Sequence, residues 1–312
     1  IAVGHRVGHG GDRFSEATII TDEVKQVIEK FVPLAPLHNP PNLEGIAVAE
    51  EVFPNAKQVA VFDTAFHQSM PAEAYRYAIP DRLYQDNKLR AYGMHGTSHQ
   101  YVSKQAERYL GLNKDSLNAI TIHLGNGCSM AAIKNGKSID TSMGLSPLPG
   151  LIMGTRSGDI DPAIIFYLAN NLDMSVKEID QLLNKESGLK GIAGNNDMRS
   201  IVSRVEQQDA QARLAIDMYC YRIKKFIGAY LAVIGKADAL IFTAGVGENS
   251  PLVRQEACKG LEHLGIQLNA AKNQQKKSSI QEIQDTGSQL KILVVPTNEE
   301  LSIAEQAYAL IS

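Results

Sequence analysis

Cysteine is scarce: the chain has three, Cys128, Cys220 and Cys258, odd in number and far apart. That argues against a disulfide framework and points to inert buried thiols in a reducing cytosol. An excess of one charge is lacking too, since 31 Lys and Arg against 34 Asp and Glu leave a net charge of -3. A general nucleic-acid binder needs a strong basic excess, so no nucleic-acid partner is expected and any anion site must be local. No apolar run reaches the length of a membrane span, so no membrane partner is expected. No secretory signal pattern is seen, and the expected location is cytoplasmic. Internal repeats and low-complexity tracts are missing. So is an opening methionine: the chain starts at Ile1, directly in a motif-dense segment.

What is present is ordinary globular material, 312 residues with 44% hydrophobic and 21% charged. That length suggests about two domains at roughly 150 residues each. Ile1–Val7 reads as a strand or buried loop. Thr21, Asp22 and Glu23 open a helix over Val24–Phe31. Pro41 can sit in the first turn of a helix running to Phe53. Gln58–Phe62 is a short apolar strand ending at Asp63. Ser98 is read as the cap of a helix that stops at Gly111. Ala119–Leu124 and Ser129–Ile133 read as strands around a Gly125-Asn126-Gly127 turn, and Asn135-Gly136 is a hairpin signal. Asp161-Pro162 opens a helix, and Ser175 with Glu178 forms a capping box for the next. Ala212–Ile234 shows the three-to-four spacing of a long amphipathic helix, with Leu214, Ile216, Tyr219 and Ile223 in the stripe. Ala239–Phe242 is a strand, Thr243–Asn249 a glycine loop and Pro251–Leu264 a helix. Leu290–Val295 is a strand and Glu299–Ile311 a closing helix. Strands alternating with helices make the class α/β.

Seven of the eight histidines lie in the first 123 residues. His95 and His99 are four apart, but Gly96 stands where a zinc protease needs Glu. His95 is therefore read as a loop residue, either structural or a donor to an anion. Gly125-Asn126-Gly127 is a plain hairpin or a backbone cradle for phosphate oxygens. Gly245–Asn249, after a strand and before a helix, lacks the third glycine of a dinucleotide loop and has no Walker lysine, so it is a nucleotide loop of another kind or a tight strand-to-helix turn. Arg156, set among glycines and small residues, and Arg6 have little to pack against; a guanidinium fork matches carboxylate or phosphate. Asp63 stands at a strand end, where α/β folds place functional groups. Glu299 suits magnesium chemistry. The set matches phosphoryl transfer, where positioning and charge neutralisation do most of the catalysis.

Seven segments in order resemble the acetate kinases: VGHRVGHGG at Val3–Gly11, VFDTAFH at Val61–His67, HGTSH at His95–His99, HLGNGCS at His123–Ser129, DTSMGLSPLPGLIMGTRSGDIDP at Asp140–Pro162, TAGVGENS at Thr243–Ser250 and TNEE at Thr297–Glu300. The resemblance implies the two-domain actin-like fold of acetate and sugar kinases, with an interdomain cleft and a homodimer. It implies reversible transfer from ATP to acetate, giving ADP and acetyl phosphate, with Mg²⁺ or Mn²⁺ as cofactor. By the same resemblance, Arg6 and Arg156 grip the carboxylate and the migrating phosphoryl group, Asp63 is catalytic, and His95 hydrogen-bonds that group. His123, Leu124, Gly125, Asn126 and Gly127 form the phosphate turn. Asp197, Met198 and Arg199, with Gly245, Val246, Gly247, Glu248 and Asn249, lie on the adenosine side. Glu299 is the magnesium-site glutamate, and Leu37 and Pro147 line the acyl pocket. Gly8 and Pro149 depart from the family's usual residues. The family's segment ahead of Ile1 is not in this sequence, so the first domain is expected to be incomplete: residues 1–65 plus 300–312, with 66–299 as the larger nucleotide-binding and dimerisation domain. A protein truly starting at Ile1 is expected to have negligible kinase activity. The alternatives are a propionate or other short-chain carboxylate kinase, or an inactive nucleotide-binding and dimerising fragment.

Overall fold

The structure is a computed structural model that describes residues 1–36, 38–276 and 278–312. The chain divides into two compact units. Unit 1 holds residues 1–117, 133–146 and 297–312; unit 2 holds 118–132 and 147–296. This differs from a cut after residue 65. Residues 66–117 stay with unit 1 because the helix at Gly96–Tyr109 packs on the closing helix and on the turn after Phe62.

Unit 1 is built on three strands, β1 (Ala2–Val7), β2 (Thr18–Ile19) and β3 (Lys57–Phe62), in the order β1-β3-β2. β1 and β3 are parallel, with Arg6 opposite Val61 and Val7 opposite Phe62. Because side chains alternate faces, Arg6, Val61 and Asp63 share one face at the carboxyl ends of the pair. Val7, Ile20, Val24, Ile28, Ile46, Ala60 and Phe62 form the core beneath. The closing helix, Glu299–Ile311, packs against β1. Gly4 permits this closeness, since a Cβ there would lie 2.6 Å from Ile303 Cγ2.

Unit 2 sets side by side β4 (Ala119–Leu124), β5 (Cys128–Lys134), β7 (Ala239–Thr243), β8 (Gln281–Glu282) and β9 (Lys291–Val294), in the order β5-β4-β7-β9-β8. The last residues of β5 pass into unit 1, where Asn135-Gly136, both at positive φ, turn the chain into β6 (Lys137–Thr141). β4 and β7 are parallel and every residue in them is buried, as a sheet covered on both faces requires. The helix Ala210–Ile234 buries Ile216, Tyr219, Ile223, Ile227, Tyr230 and Ile234, while Leu214, expected in that stripe, is exposed. Among the described residues no helix is long and apolar enough to cross a membrane. All three cysteines are free and buried.

Candidate active site

In unit 1 the strand ends bring three expected residues into contact. Arg6 donates from Nε and Nη2 to Asp63 Oδ2 at 3.0 and 2.7 Å. Its Nη1 stands 2.8 Å from Glu299 Oε2. Asn298 caps the closing helix through Leu301 N–H, and that fixes Glu299 in the first turn above Arg6. Asp63 Oδ1 accepts from Thr97 Oγ1 at 3.1 Å. The Arg6 side chain remains 45% exposed against 8% for Asp63 and 19% for Glu299, so the guanidinium reaches outward from less exposed carboxylates. Burial alone would lower the Arg6 pKa, but the Asp63 and Glu299 charges more than reverse it. Burial raises Glu299; Arg6 opposes the rise and the Asp63 charge adds to it.

His95 lies beside this cluster. It sits at the N-cap of the helix Gly96–Tyr109, in left-handed backbone at φ 57°. Gly96 N–H donates to Asp63 O at 2.8 Å, and a Cβ on Gly96 would come within 2.3 Å of that oxygen. Ser98, expected as the cap, is two residues inside the helix and pairs instead with Thr297 Oγ1 at 2.9 Å.

In unit 2 the parallel register sets His123 opposite Thr243. The turn at Gly125–Gly127 and the segment after Thr243 therefore leave the sheet at the same, carboxyl end of the strands. The turn is tied down on several sides. Gly125 N donates to Gly127 O, Gly154 N to Asn126 O, and Asn196 Nδ2 to Asn126 Oδ1. Behind it, Cys128 Sγ contacts Gly125 O at 3.3 Å and Tyr219 Oη at 3.1 Å. Arg156 is held by Pro147 O at 3.2 Å and lies 3.7 Å from Met153 Sδ. Among the described residues it forms no ion pair, and burial lowers its pKa. A half-buried guanidinium with most of its donors uncommitted is suited to an anion.

Thr243–Asn249 is not an open loop. Ala244–Asn249 is one short helix, started by Ala244 at φ 64° and closed by Ala244 N to Glu248 Oε1 and Asn249 Nδ2 to Gly245 O. Glu248 is thus turned back on the first N–H of the helix, that of Ala244. Asp197 caps the helix Met198–Glu206 and pairs with Arg199 at 2.9 Å on the surface, while Met198 points into the core. Leu37 lies outside the described residues. Three supporting residues were not expected: Thr97, His67 and Arg254. Thr97 and His67 fall inside the quoted motifs. Nothing in the local sequence marks Arg254, which is 2% exposed and donates to the carbonyls of Gly247, Glu248 and Asn273.

The sequence profile of the acetokinase family matches residues 1–305. An acetate kinase from Sulfurovum sp. (strain NBC37-1) is 55% identical over 312 residues, all of this chain and 79% of the relative. The crystal structure of Porphyromonas gingivalis acetate kinase superposes with a TM-score of 0.96 at 45% identity, covering 100% of this chain and 78% of that one. A propionate kinase from Francisella tularensis subsp. tularensis SCHU S4 gives 0.95 at 48% identity, with 99% and 79% covered. The fold is that of the acetate and sugar kinases. Matched along nearly its whole length, the chain belongs to the acetokinase family.

Proposed function

We propose that the protein transfers the γ-phosphoryl group of ATP reversibly to acetate, giving acetyl phosphate and ADP. The observation that carries this reading is Arg6 bridging Asp63 and Glu299 at the strand ends of unit 1. A carboxylate oxygen of acetate attacks the γ-phosphorus; the bond to the bridging oxygen of ADP breaks, and ADP leaves with the electron pair. Acetate is already ionised at neutral pH, so the reaction needs no general base. Asp63 instead holds Arg6 in place. The outward face of Arg6 and the open donors of Arg156 neutralise the equatorial oxygens in the transition state. His95 donates a hydrogen bond to the same group. The turn at His123–Gly127 takes the nucleotide phosphates, and Asp197–Arg199 with Gly245–Asn249 flank the adenosine. Pro147 lies toward the acyl group.

Magnesium fits this residue set. Glu299 Oε2 is buried and accepts no directed hydrogen bond, only the ion pair with Arg6. Two carboxylates against one guanidinium leave a negative charge for a cation to balance. Among the described residues no group of three or more His, Cys, Asp or Glu could hold a metal. Two carboxylates completed by water and phosphate oxygens is the usual magnesium arrangement at phosphoryl-transfer sites, and Mn²⁺ accepts the same donors. When bound, the ion neutralises charge on the transferring phosphates.

The similar propionate kinase supports a second reading, propionate or another short acid as acceptor. One methylene in an apolar pocket is worth about 1–3 kcal/mol, so kcat/KM ratios decide between the acids. The protein is also proposed to be a cytoplasmic homodimer. The helix Ala163–Asn171 buries no residue, and Phe166, Tyr167, Leu172 and Val176 are 56–81% exposed nearby, an apolar face that a second copy would cover. The test of function is ADP release by a chain carrying the family's N-terminal segment ahead of Ile1. Release should need both acetate and Mg²⁺; release that ignores acetate would contradict the reading.

A further inference from the structure

His67 follows β3 in the short turn Ala65–Ser69 and is fully buried. Its Nε2 lies 3.1 Å from Met94 O, and its Nδ1 lies 2.8 Å from Ser138 Oγ. A carbonyl can only accept, so Nε2 carries the proton; Nδ1 then accepts from the Ser138 hydroxyl. One tautomer is therefore fixed from both sides. The ring stands between Phe66 and His99, with centroids 5.7 and 5.6 Å away. Burial pushes its pKa down to about 4, so the ring stays neutral near pH 7.

The carbonyl it holds belongs to the residue just before His95. His95 is a non-glycine residue in left-handed backbone, a conformation that persists only where its surroundings enforce it. On the far side, Gly96 N–H is tied to Asp63 O. On the near side, Gly93 is at φ 75°, and a Cβ there would lie 2.6 Å from His67 Cδ2, so glycine leaves the space the ring occupies. His67 and Asp63 thus grip the backbone on either side of the strained residue.

We propose that His67 is a positioning residue for His95, acting through the Met94 carbonyl in a tautomer set by Ser138. This rests on His95 meeting the phosphoryl group as read above. The test compares His67→Phe, His67→Gln and Ser138→Ala, alone and with His95→Ala, in the chain carrying the family's N-terminal segment. His67→Phe should lower kcat about tenfold or more, with KM for ATP and acetate within about twofold, as a small misplacement of a reacting group does. His67→Gln, which keeps a donor near the Nε2 position, should recover part of the loss. In the His95→Ala background His67→Phe should cost nothing further. Ser138→Ala should lower kcat by less, while ¹⁵N NMR of the ring shows protonation spreading to Nδ1. If His67→Phe does not fold, Ser138→Ala carries the test. Unchanged kcat in a folded His67→Phe or in Ser138→Ala overturns the proposal, as does a full additive loss alongside His95→Ala. Normal turnover in His95→Ala alone would instead overturn the reading of His95.

Discussion

Arg6 serves two carboxylates at once, and its removal has two effects. Alanine there deletes a cation from the transition state and leaves Asp63 and Glu299 facing each other unbalanced. Arg6→Ala should lower kcat/KM by about 10³-fold or more, the scale of arginines that assist phosphoryl transfer. Arg6→Lys should recover only part, because an ammonium cannot span both carboxylates with a planar fork. Arg156→Ala should cost a similar factor with less effect on folding, since that guanidinium holds one carbonyl and no carboxylate. Steady-state kinetics with circular dichroism as control decide both; near-normal turnover in either alanine variant contradicts its role. Acid stability belongs to this scale too. Burial pushes His9 and His67 each down to about 4. Between pH 6.5 and pH 4 the unfolded chain binds protons that these rings refuse. The unfolding free energy therefore falls as pH falls through that window, by up to about 3 kcal/mol for each ring. Asp140, pushed up to about 6 by burial, takes its proton earlier when folded and opposes the fall. Asp140→Asn should steepen the acid decline in urea melts between pH 6 and pH 4, and an unchanged slope contradicts this account.

The nucleotide side depends on how its turns are braced. Gly154 has no room for a side chain, since a Cβ would lie 2.2 Å from Asn126 Oδ1. Gly154→Ala should displace the Asn126 turn and raise KM for ATP about tenfold, with kcat changed far less, if that turn cradles phosphates. Arg254 braces the helix after β7 by holding its last carbonyls. Arg254→Met should cost about 3 kcal/mol or more in chemical denaturation, because several buried acceptors lose their donor. Much of this scale is written locally. Asn135-Gly136 is a hairpin, Ser175 and Glu178 form both bonds of the capping box, and Glu299–Ile311 is a helix as its spacing predicts. What residue-type patterns miss is made by side chains that fold back on the backbone. Arg254 is satisfied while buried because the carbonyls of Gly247 and Glu248, seven and six residues back, and Asn273, nineteen residues on, converge on it. Thr243–Asn249 looks like a loop for its glycines, yet Glu248 and Asn249 fold back and hold a helical turn. Ser98 looks like a cap, yet the helix starts earlier because His95 takes the left-handed conformation.

At the level of the molecule, residue types marked the site better than they marked the boundaries. Arg6, Asp63 and Glu299 were each singled out along the sequence; only the sheet register and the packing of the closing helix put them within 3 Å. The division into units was less legible, because residues 133–146 and 297–312 join unit 1 across long stretches of chain. The exposed face around Phe166 and Tyr167 carries its own prediction: Phe166→Asp with Tyr167→Asp should turn a dimer into a monomer in sedimentation equilibrium. A monomeric parent protein would contradict that surface assignment. The reaction itself is read by ³¹P NMR of ATP, Mg²⁺ and acetate with the chain carrying the family's N-terminal segment. An acetyl phosphate resonance should grow with ADP, at turnover of roughly 1–100 per second, and should disappear in Arg156→Ala. ADP accompanied only by inorganic phosphate, or no change in ATP, would contradict the proposed reaction.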